Sequence, residues 1–501
     1  MSGKVYLVGA GVGDPELMTL KAKRLLNEAD VLIYDQLANQ LMLSETTETC
    51  EKIFVGKMSS NHTLTQDEIN DLIVEKARTG KCIVRLKGGD PYVFGRGGEE
   101  GEILRAAGIP FEVVPGITSA IGGLAYAGIP ITHREDASDF HVYTGHFKDD
   151  ERSFDFDTIS KLTGTLVFLM GVKNIERIMN GLIDAGKAGT TPAAIIRKAS
   201  YPEQETWTGT LETLGEMKAK YQIKPPCLIV IGDVVNRRKD LNFFEEKPLF
   251  GQKVVVTRSR AQSSRLVSEI IRQGGDVIEV PSILINPINH ELLDEQIRTV
   301  ATYQYIVLTS ENGVNVLFDR VHALGYDTRH FGGVKFVAIG SGTAKALGQY
   351  GIKPDIIPPR YVGEEVVAAM KPHLKATDKI LVPRAKEARP YIVDALSQVA
   401  DVTEVKTYET ELEVDQELQA LKKAIETPES INLTFTSSST VRNFIEICKA
   451  NDIDTEAFKH SNIYSIGPIT SETIASYGFS VTKEAAVYTI DGVMDLLMTK
   501  A

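Results

Sequence analysis

Val84-Arg85-Leu86-Lys87-Gly88-Gly89-Asp90-Pro91-Tyr92-Val93-Phe94-Gly95-Arg96-Gly97-Gly98-Glu99-Glu100 decides how this chain is read. An apolar run of β type (Ile83, Val84, Leu86) ends in a Gly-Gly-Asp-Pro turn. Five glycines fall within the eleven residues from Gly88 to Gly98, and Arg96 stands among them. Glycine allows sharp turns and lets a ligand approach the backbone closely. Asp90 supplies an acceptor and Arg96 a cation. The stretch reads as a strand followed by a loop that holds a polar small molecule beside a positive charge.

Working outward, strand and helix patterns alternate. Lys4–Gly9, Val31–Tyr34, Lys81–Lys87 and Phe111–Val114 read as strands. Leu17–Glu28 and Thr65–Thr79 read as helices, the second opened by a Thr65/Glu68 capping box. A second α/β segment begins near Phe140, continues through Leu166–Gly171 and ends at Cys227–Asp233. Such alternation implies parallel or mixed sheets covered by helices. A charged stretch at 236–250 breaks the pattern, and we place a linker and boundary there. A new strand starts at Lys253.

The second half repeats itself. Leu308-Thr309-Ser310 matches Phe435-Thr436-Ser437, and Ile339-Gly340 matches Ile466-Gly467, each at an offset of 127. Val256-Thr257-Arg258 matches Val382-Pro383-Arg384 at 126. A nearly constant offset over three segments implies two copies of one small α/β unit. Facing loops of two such units would form a cleft, a common place for a ligand.

Composition narrows the classes. The chain has 501 residues, 43% hydrophobic and 24% charged, which is ordinary for a globular protein of several domains. No run of apolar residues is long enough for a membrane span, and no signal peptide is read at the N-terminus. The net charge of −12 argues against nucleic acid as a partner. It leaves room for an anionic small substrate, because screening lets a local Arg/Lys cluster dominate a pocket. The four cysteines form no CxxC. They read as thiols of a reducing, cytoplasmic compartment, with no metal site. The turn Gly9-Ala10-Gly11-Val12-Gly13 brings its third glycine one residue too early for a dinucleotide fingerprint.

An ordered set of motifs covers residues 1 to about 240. It comprises Val8–Glu16, Tyr34-Asp35-Gln36-Leu37, Val55-Gly56-Lys57, the Gly-Gly-Asp-Pro loop, Val114–Ala120 and Gly128–Arg134. Together they closely resemble uroporphyrinogen-III C-methyltransferase, within the tetrapyrrole methylases. The resemblance implies two α/β domains, about 1–114 and 115–240 of a first part spanning 1–245. It implies S-adenosylmethionine at Val12, Gly88, Gly89, Asp90, Val93, Thr118, Ser119, Met170 and Ala199. It also implies Asp35 as base, Lys57 as acid and Arg96 on a substrate carboxylate or a departing proton, in an expected homodimer. His133 and Arg134 would suit a polycarboxylate. Val12 stands where the family usually has proline, and Gln36 where it has arginine. Read from the residues alone, Asp35 and Lys57 could form a surface ion pair and Thr118 could be a helix N-cap. Met170 would more often be core, and His133-Arg134 could be a solvated turn.

Residues 251–501 resemble uroporphyrinogen-III synthase. This rests on Val256-Thr257-Arg258, Leu308–Val314, Ile339–Ala344, Val405–Thr410 with Tyr408, and Phe435–Val441. The resemblance implies two flavodoxin-like or Rossmann-like units, one of 251–285 plus 410–501 and one of 290–405. Their strand-to-helix turns present free N–H groups suited to carboxylates. Ser310, Thr343, Ser437 and Thr470 are candidates there; Thr343 and Thr470 are also expected to cap their helices. Arg258, Arg384 and Arg389 are candidate cations, and the family implies Tyr408 as acid. The combined expectation is cyclisation of hydroxymethylbilane to uroporphyrinogen III, then methylation at C2 and C7 to precorrin-2, toward sirohaem and cobalamin. The alternative is a methylase of a later corrin precursor fused to a non-catalytic tetrapyrrole-binding module.

Overall fold

A computed structural model describes the chain except residues 1–2, 39, 48, 57–63, 146–153, 258–259, 359–362, 413, 415–417, 427–430 and 500–501. It also leaves out the side chains of 40 and 260–264. Internal packing divides the chain into two compact units. One comprises 1–254 with 268–277 and 497–501; the other comprises 255–267 with 278–496. No helix among the described residues is long and apolar enough to cross a membrane.

The first unit carries two five-stranded sheets. The first contains β1 (Val5–Gly9), β2 (Val31–Tyr34), β3 (Glu51–Phe54), β4 (Ile83–Lys87) and β5 (Phe111–Val114), in the order β3-β2-β4-β1-β5. All its pairs are parallel. Side chains alternate across the strands. Val5, Leu7, Ile33 and Ile83 pack on one face, and Val8, Leu32, Val84 and Leu86 on the other. Both faces are therefore covered, as a parallel sheet requires. The second contains β6 (Phe140–Thr144), β7 (Thr165–Leu169), β8 (Pro192–Arg197), β9 (Glu205–Thr210) and β10 (Cys227–Ile231), in the order β6-β7-β10-β8-β9. Only β6 and β7 pair in parallel.

Local signals explain the helix boundaries. The Thr65/Glu68 capping box opens the helix Gln66–Arg78. The single helix expected over 17–28 is instead two pieces. Asp14 caps a short turn at Pro15–Leu17, Met18 is extended, and the Thr19 hydroxyl caps Leu20–Glu28. Two capping side chains in succession outweigh the continuous apolar pattern.

The charged stretch after 236 folds onto the first unit. Arg237 pairs with Asp136 and Glu135, Arg238 donates to the Ala127 carbonyl, and Phe244 packs on Tyr126. Phe244 and Leu249 are buried. A stretch that looks like a solvated connector by composition is held by partners distant in sequence.

The remaining ten strands are β11 (Lys253–Val256), β12 (Asp276–Glu279), β13 (Ile283–Pro287), β14 (Tyr305–Leu308), β15 (Lys335–Ala338), β16 (Lys379–Ala385), β17 (Asp401–Leu412), β18 (Ile431–Phe435), β19 (Asn462–Ser465) and β20 (Lys483–Glu484). They form one sheet of order β12-β11-β18-β19-β20 and another of order β13-β17-β16-β14-β15. The internal repeat is visible in these orders: β12, β11, β18 and β19 take the places of β17, β16, β14 and β15. Helices Glu311–Ala323 and Ser438–Ala450 follow β14 and β18, again 127 residues apart. Ser310 and Ser437 cap them with the same extended backbone. The chain leaves the first of these sheets after β12 and returns after β17. β13 and β17 pair antiparallel, from Ile283 opposite Leu412 to Pro287 opposite Tyr408. Both crossover segments thus belong to the second sheet, because they satisfy each other's backbone groups.

At the ends of β1, β4 and β5, glycine packs directly against glycine. A Cβ on Gly116 would lie 2.2 Å from the Gly89 carbonyl oxygen and 2.8 Å from Gly9 Cα. Gly116→Ala should therefore lower the stability of the first unit by about 1–3 kcal/mol, the usual cost of overpacking. Urea unfolding of the full chain, followed by a probe in the first unit, measures this.

Candidate functional site

β1 and β4 lie side by side and continue past their ends. The Ala10 amide donates to the Lys87 carbonyl, and Gly11 and Gly89 exchange both backbone bonds. Gly11 and Gly89 have φ of +73° and +68°, where a side chain would be strained. Loops from β1, β4 and β5 therefore meet at the carboxyl ends of three neighbouring parallel strands. Chain order reverses there, since β2 lies beyond β4 and β5 on the other side of β1. Crevices at such a switch point hold ligands in open α/β sheets.

Asp90 fastens this junction. Its Oδ1 accepts from the Tyr92 amide at 2.8 Å and its Oδ2 from the Gly116 amide at 3.1 Å. The carboxylate ties the β4 loop to the β5 loop and keeps lone pairs for a ligand. Thr118 caps the helix Ser119–Tyr126 through the Ala120 amide. Val93 and Thr118 share the lining of a cavity of about 370 Å³ with Tyr92, Phe94, Ile121 and Phe140. A second hollow of about 430 Å³ adjoins it through Phe94 and Val142. Tyr92, Phe94, Ile121 and Phe140 are exposed, so the opening is broadly apolar.

The other donor-side candidates flank the same helix. Val12 is buried; a Cβ on Gly122 would sit 3.3 Å from its methyls. Ala199 lies against Gly123 of that helix. Met170 does not join a core: it is 51% exposed and has a φ of +58°. The reading of Met170 as packing is overturned, because the chain turns at the end of β7 and carries the side chain outward.

The candidate catalytic residues are placed unequally. Asp35 is held: its Oδ2 lies 3.2 Å from the Arg85 guanidinium and its Oδ1 accepts from the Leu37 amide. Arg96 has a left-handed φ of +61° and forms an ion pair with Glu99, which raises its pKa. Lys57 lies outside the described residues. His133 accepts from the Glu135 amide and sits 3.3 Å from Asp136, which Arg237 also holds. The His133 turn is thus part of the anchoring of the 236–250 stretch, while Arg134 is exposed.

Beneath the β4 loop lies a charge cluster that none of the sequence motifs marks. Arg85 and Lys87 point to the same face of β4 and are 3% and 4% exposed. Lys87 Nζ lies 2.8 Å from Glu100 Oε1, and Arg85 Nε 3.4 Å from the same oxygen. Burial pushes the Lys87 pKa down, and Glu100 opposes that push. The signal was two charges alternating within an otherwise apolar strand.

In the second unit, Ser310 and Tyr408 meet. Their hydroxyls are 2.7 Å apart, and Ser310 Oγ also accepts from the Gly313 amide. Tyr408 is 4% exposed within the core of its sheet, and burial raises its pKa. Arg384 is committed: its Nε donates to Glu404 at 2.6 Å, and its guanidinium also holds the Arg389 carbonyl. A free cation at Arg384 is therefore corrected to an internal ion pair, whereas Arg389 is exposed. Thr343 and Thr470 do not cap their helices. The caps are Ile339 and Gly467, and both threonines are buried within the first turns. Ser437 forms a capping box with Thr440. Arg258 lies outside the described residues.

Two family models match the chain. The model for tetrapyrrole (corrin/porphyrin) methylases covers residues 4–215, and that for uroporphyrinogen-III synthase HemD covers 264–495. A porphyrin biosynthesis protein HemD from Ruminiclostridium josui is 39% identical over 499 residues, covering 99% of this chain and 98% of the relative. An S-adenosyl-L-methionine-dependent uroporphyrinogen III methyltransferase from Methanosarcina barkeri is 52% identical, over 47% of this chain and 92% of its own. A crystal structure of the Thermus thermophilus uroporphyrin-III C-methyl transferase with S-adenyl homocysteine is 42% identical. It covers 47% of this chain and 99% of its own, with a TM-score of 0.41.

The buried cluster sets a stability test. Glu100→Ala leaves the Lys87 ammonium without its carboxylate in a dry site. It should cost about 3–5 kcal/mol, as breaking a buried pair does. Glu100→Gln, which keeps an acceptor, should cost less. The midpoint of urea unfolding distinguishes the two.

Proposed function

Because the chain belongs to the tetrapyrrole methylase family in its first half and to the uroporphyrinogen-III synthase family in its second, we propose that it performs two consecutive steps. The second half closes hydroxymethylbilane to uroporphyrinogen III with loss of water. The first half methylates that product at C2 and C7, giving precorrin-2 on the route to sirohaem and cobalamin. The observation that carries the methylation reading is the junction of the β1, β4 and β5 loops beside an apolar cavity. Its residues fit S-adenosylmethionine. Asp90 suits a cationic ligand, the glycine backbones allow close approach, and Val12 and Val93 supply apolar walls.

Bound there, the sulfonium supplies a methyl group with a good thioether leaving group. The protein's task is then placement more than activation. The glycine loop and Thr118 orient the donor, and the exposed aromatics Tyr92, Phe94 and Phe140 face the macrocycle. Each transfer forms one carbon–carbon bond, breaks one sulfur–carbon bond and releases one proton. Asp35, steadied by Arg85, takes that proton, and Arg96 holds a substrate carboxylate. In the second half, the half-buried Ser310 presents a hydroxyl with Tyr408 behind it, at the carboxyl end of β14.

The burial of Tyr408 and the internal pairing of Arg384 favour a second reading, in which the second half binds a tetrapyrrole without cyclising it. Hydroxymethylbilane given to the purified chain without methyl donor decides: uroporphyrinogen III is expected, and only the spontaneous type I isomer would establish a binding module. Adding S-adenosylmethionine should then give a dimethylated product by mass. Arg96→Ala should lower methylation at least tenfold. A charge-assisted contact contributes about 1.5–3 kcal/mol. Donor binding, followed by calorimetry, should stay unchanged.

A further inference from the structure

Glu245 lies beyond the span matched by the methylase family model, in the stretch that reads as a linker. Its carboxylate is mostly buried, with 16% of the side chain exposed. Oε1 accepts from Gln204 Nε2 at 2.8 Å and from the Thr206 hydroxyl at 2.7 Å. Oε2 accepts from the Arg238 guanidinium.

Gln204 is 3% exposed and links this carboxylate to the donor-side loops. Its Oε1 accepts from the Ser200 amide at 2.8 Å, and its Nε2 also donates to the Tyr126 carbonyl at 3.1 Å. The Ser200 hydroxyl accepts from the Asp14 amide, and the Tyr126 hydroxyl donates to the Asp14 carboxylate. Asp14 ends the loop that carries Val12, and Ser200 follows Ala199. On either side of Ala199, Lys198 and Ser200 have φ of +46° and +64°. Such backbone persists only where its surroundings over-determine it.

A carboxylate can only accept hydrogen bonds, whereas an amide can turn either end outward. Glu245, together with the Tyr126 carbonyl and the Ser200 amide, therefore fixes which way Gln204 faces: its NH₂ toward Glu245 and its oxygen toward Ser200. We propose that Glu245 is a positioning residue for the methyl-donor site, acting through Gln204 on the loops of Val12 and Ala199. The inference rests on the methyl-donor reading above. It makes the stretch before the second unit a working part of the first.

The test uses the full chain and S-adenosylhomocysteine as probe, with affinity measured by calorimetry. Glu245→Ala should weaken binding at least tenfold at a temperature where the variant is folded. Glu245→Gln, which keeps the shape and an acceptor, should recover most of it. Gln204→Met, close in size but unable to make these bonds, should match Glu245→Ala, and the double variant should be no worse than either. Cyclisation of hydroxymethylbilane by the same preparations should be unchanged. Undiminished affinity in folded Glu245→Ala or Gln204→Met, even with a lowered melting temperature, would reduce Glu245 to a brace. A wild-type chain that does not bind the probe overturns the donor reading and this proposal with it.

Discussion

The first unit depends on a place where three backbones press together. Gly9, Gly89 and Gly116 come so close that a Cβ on Gly9 or Gly116 would lie within 3 Å of neighbouring backbone. Protein interiors have no slack for such an atom. The close approach lets β1 and β4 extend their hydrogen bonding past the sheet, which sets the positions of Val12, Asp90 and Thr118 together. Asp90 then closes the junction by accepting from both the β4 and the β5 loop. One constraint on side-chain size thus brings the β1, β4 and β5 loops of the candidate donor site together.

Charge is used differently above and below that junction. Beneath it, Arg85, Lys87 and Glu100 are nearly dry, so each depends on its partners, and the loop sits on a rigid base. Above it, Arg96 is half-exposed and, among the described residues, pairs with its neighbour Glu99. Such a pair is held weakly in water. Arg96 is thus held more loosely than Arg85, which is buried against Glu100 and Asp35.

The second unit gains its order from repetition. Two sheets of matching strand order carry serine-capped helices at equivalent places. The copies then diverge in their side chains. Tyr408 and Ser310 share a hydrogen bond in one sheet, while Ser437 in the other closes a capping box with Thr440.

Much of this was legible along the chain. Apolar runs marked β1, β2, β4 to β7, β10 and β11, the glycine-rich turns marked the junction, and an offset of 127 residues disclosed the repeat. Those features are local or periodic, and local backbone preference decides them. The Thr65/Glu68 box is of the same kind. The sequence did not reveal that Tyr408 is buried, that Arg384 is spent on Glu404, that Met170 points outward, or that Thr343 and Thr470 do not cap their helices. Nor did it reveal that a charged linker would place Glu245 against Gln204. Each of these depends on which distant residue arrives opposite, at separations of 20 residues for Arg384 with Glu404 and 41 for Gln204 with Glu245. A charged or polar side chain looks the same in sequence whether water or a buried partner satisfies it. Only the packed tertiary structure, by excluding water from one side and bringing the partner to the other, decides between them.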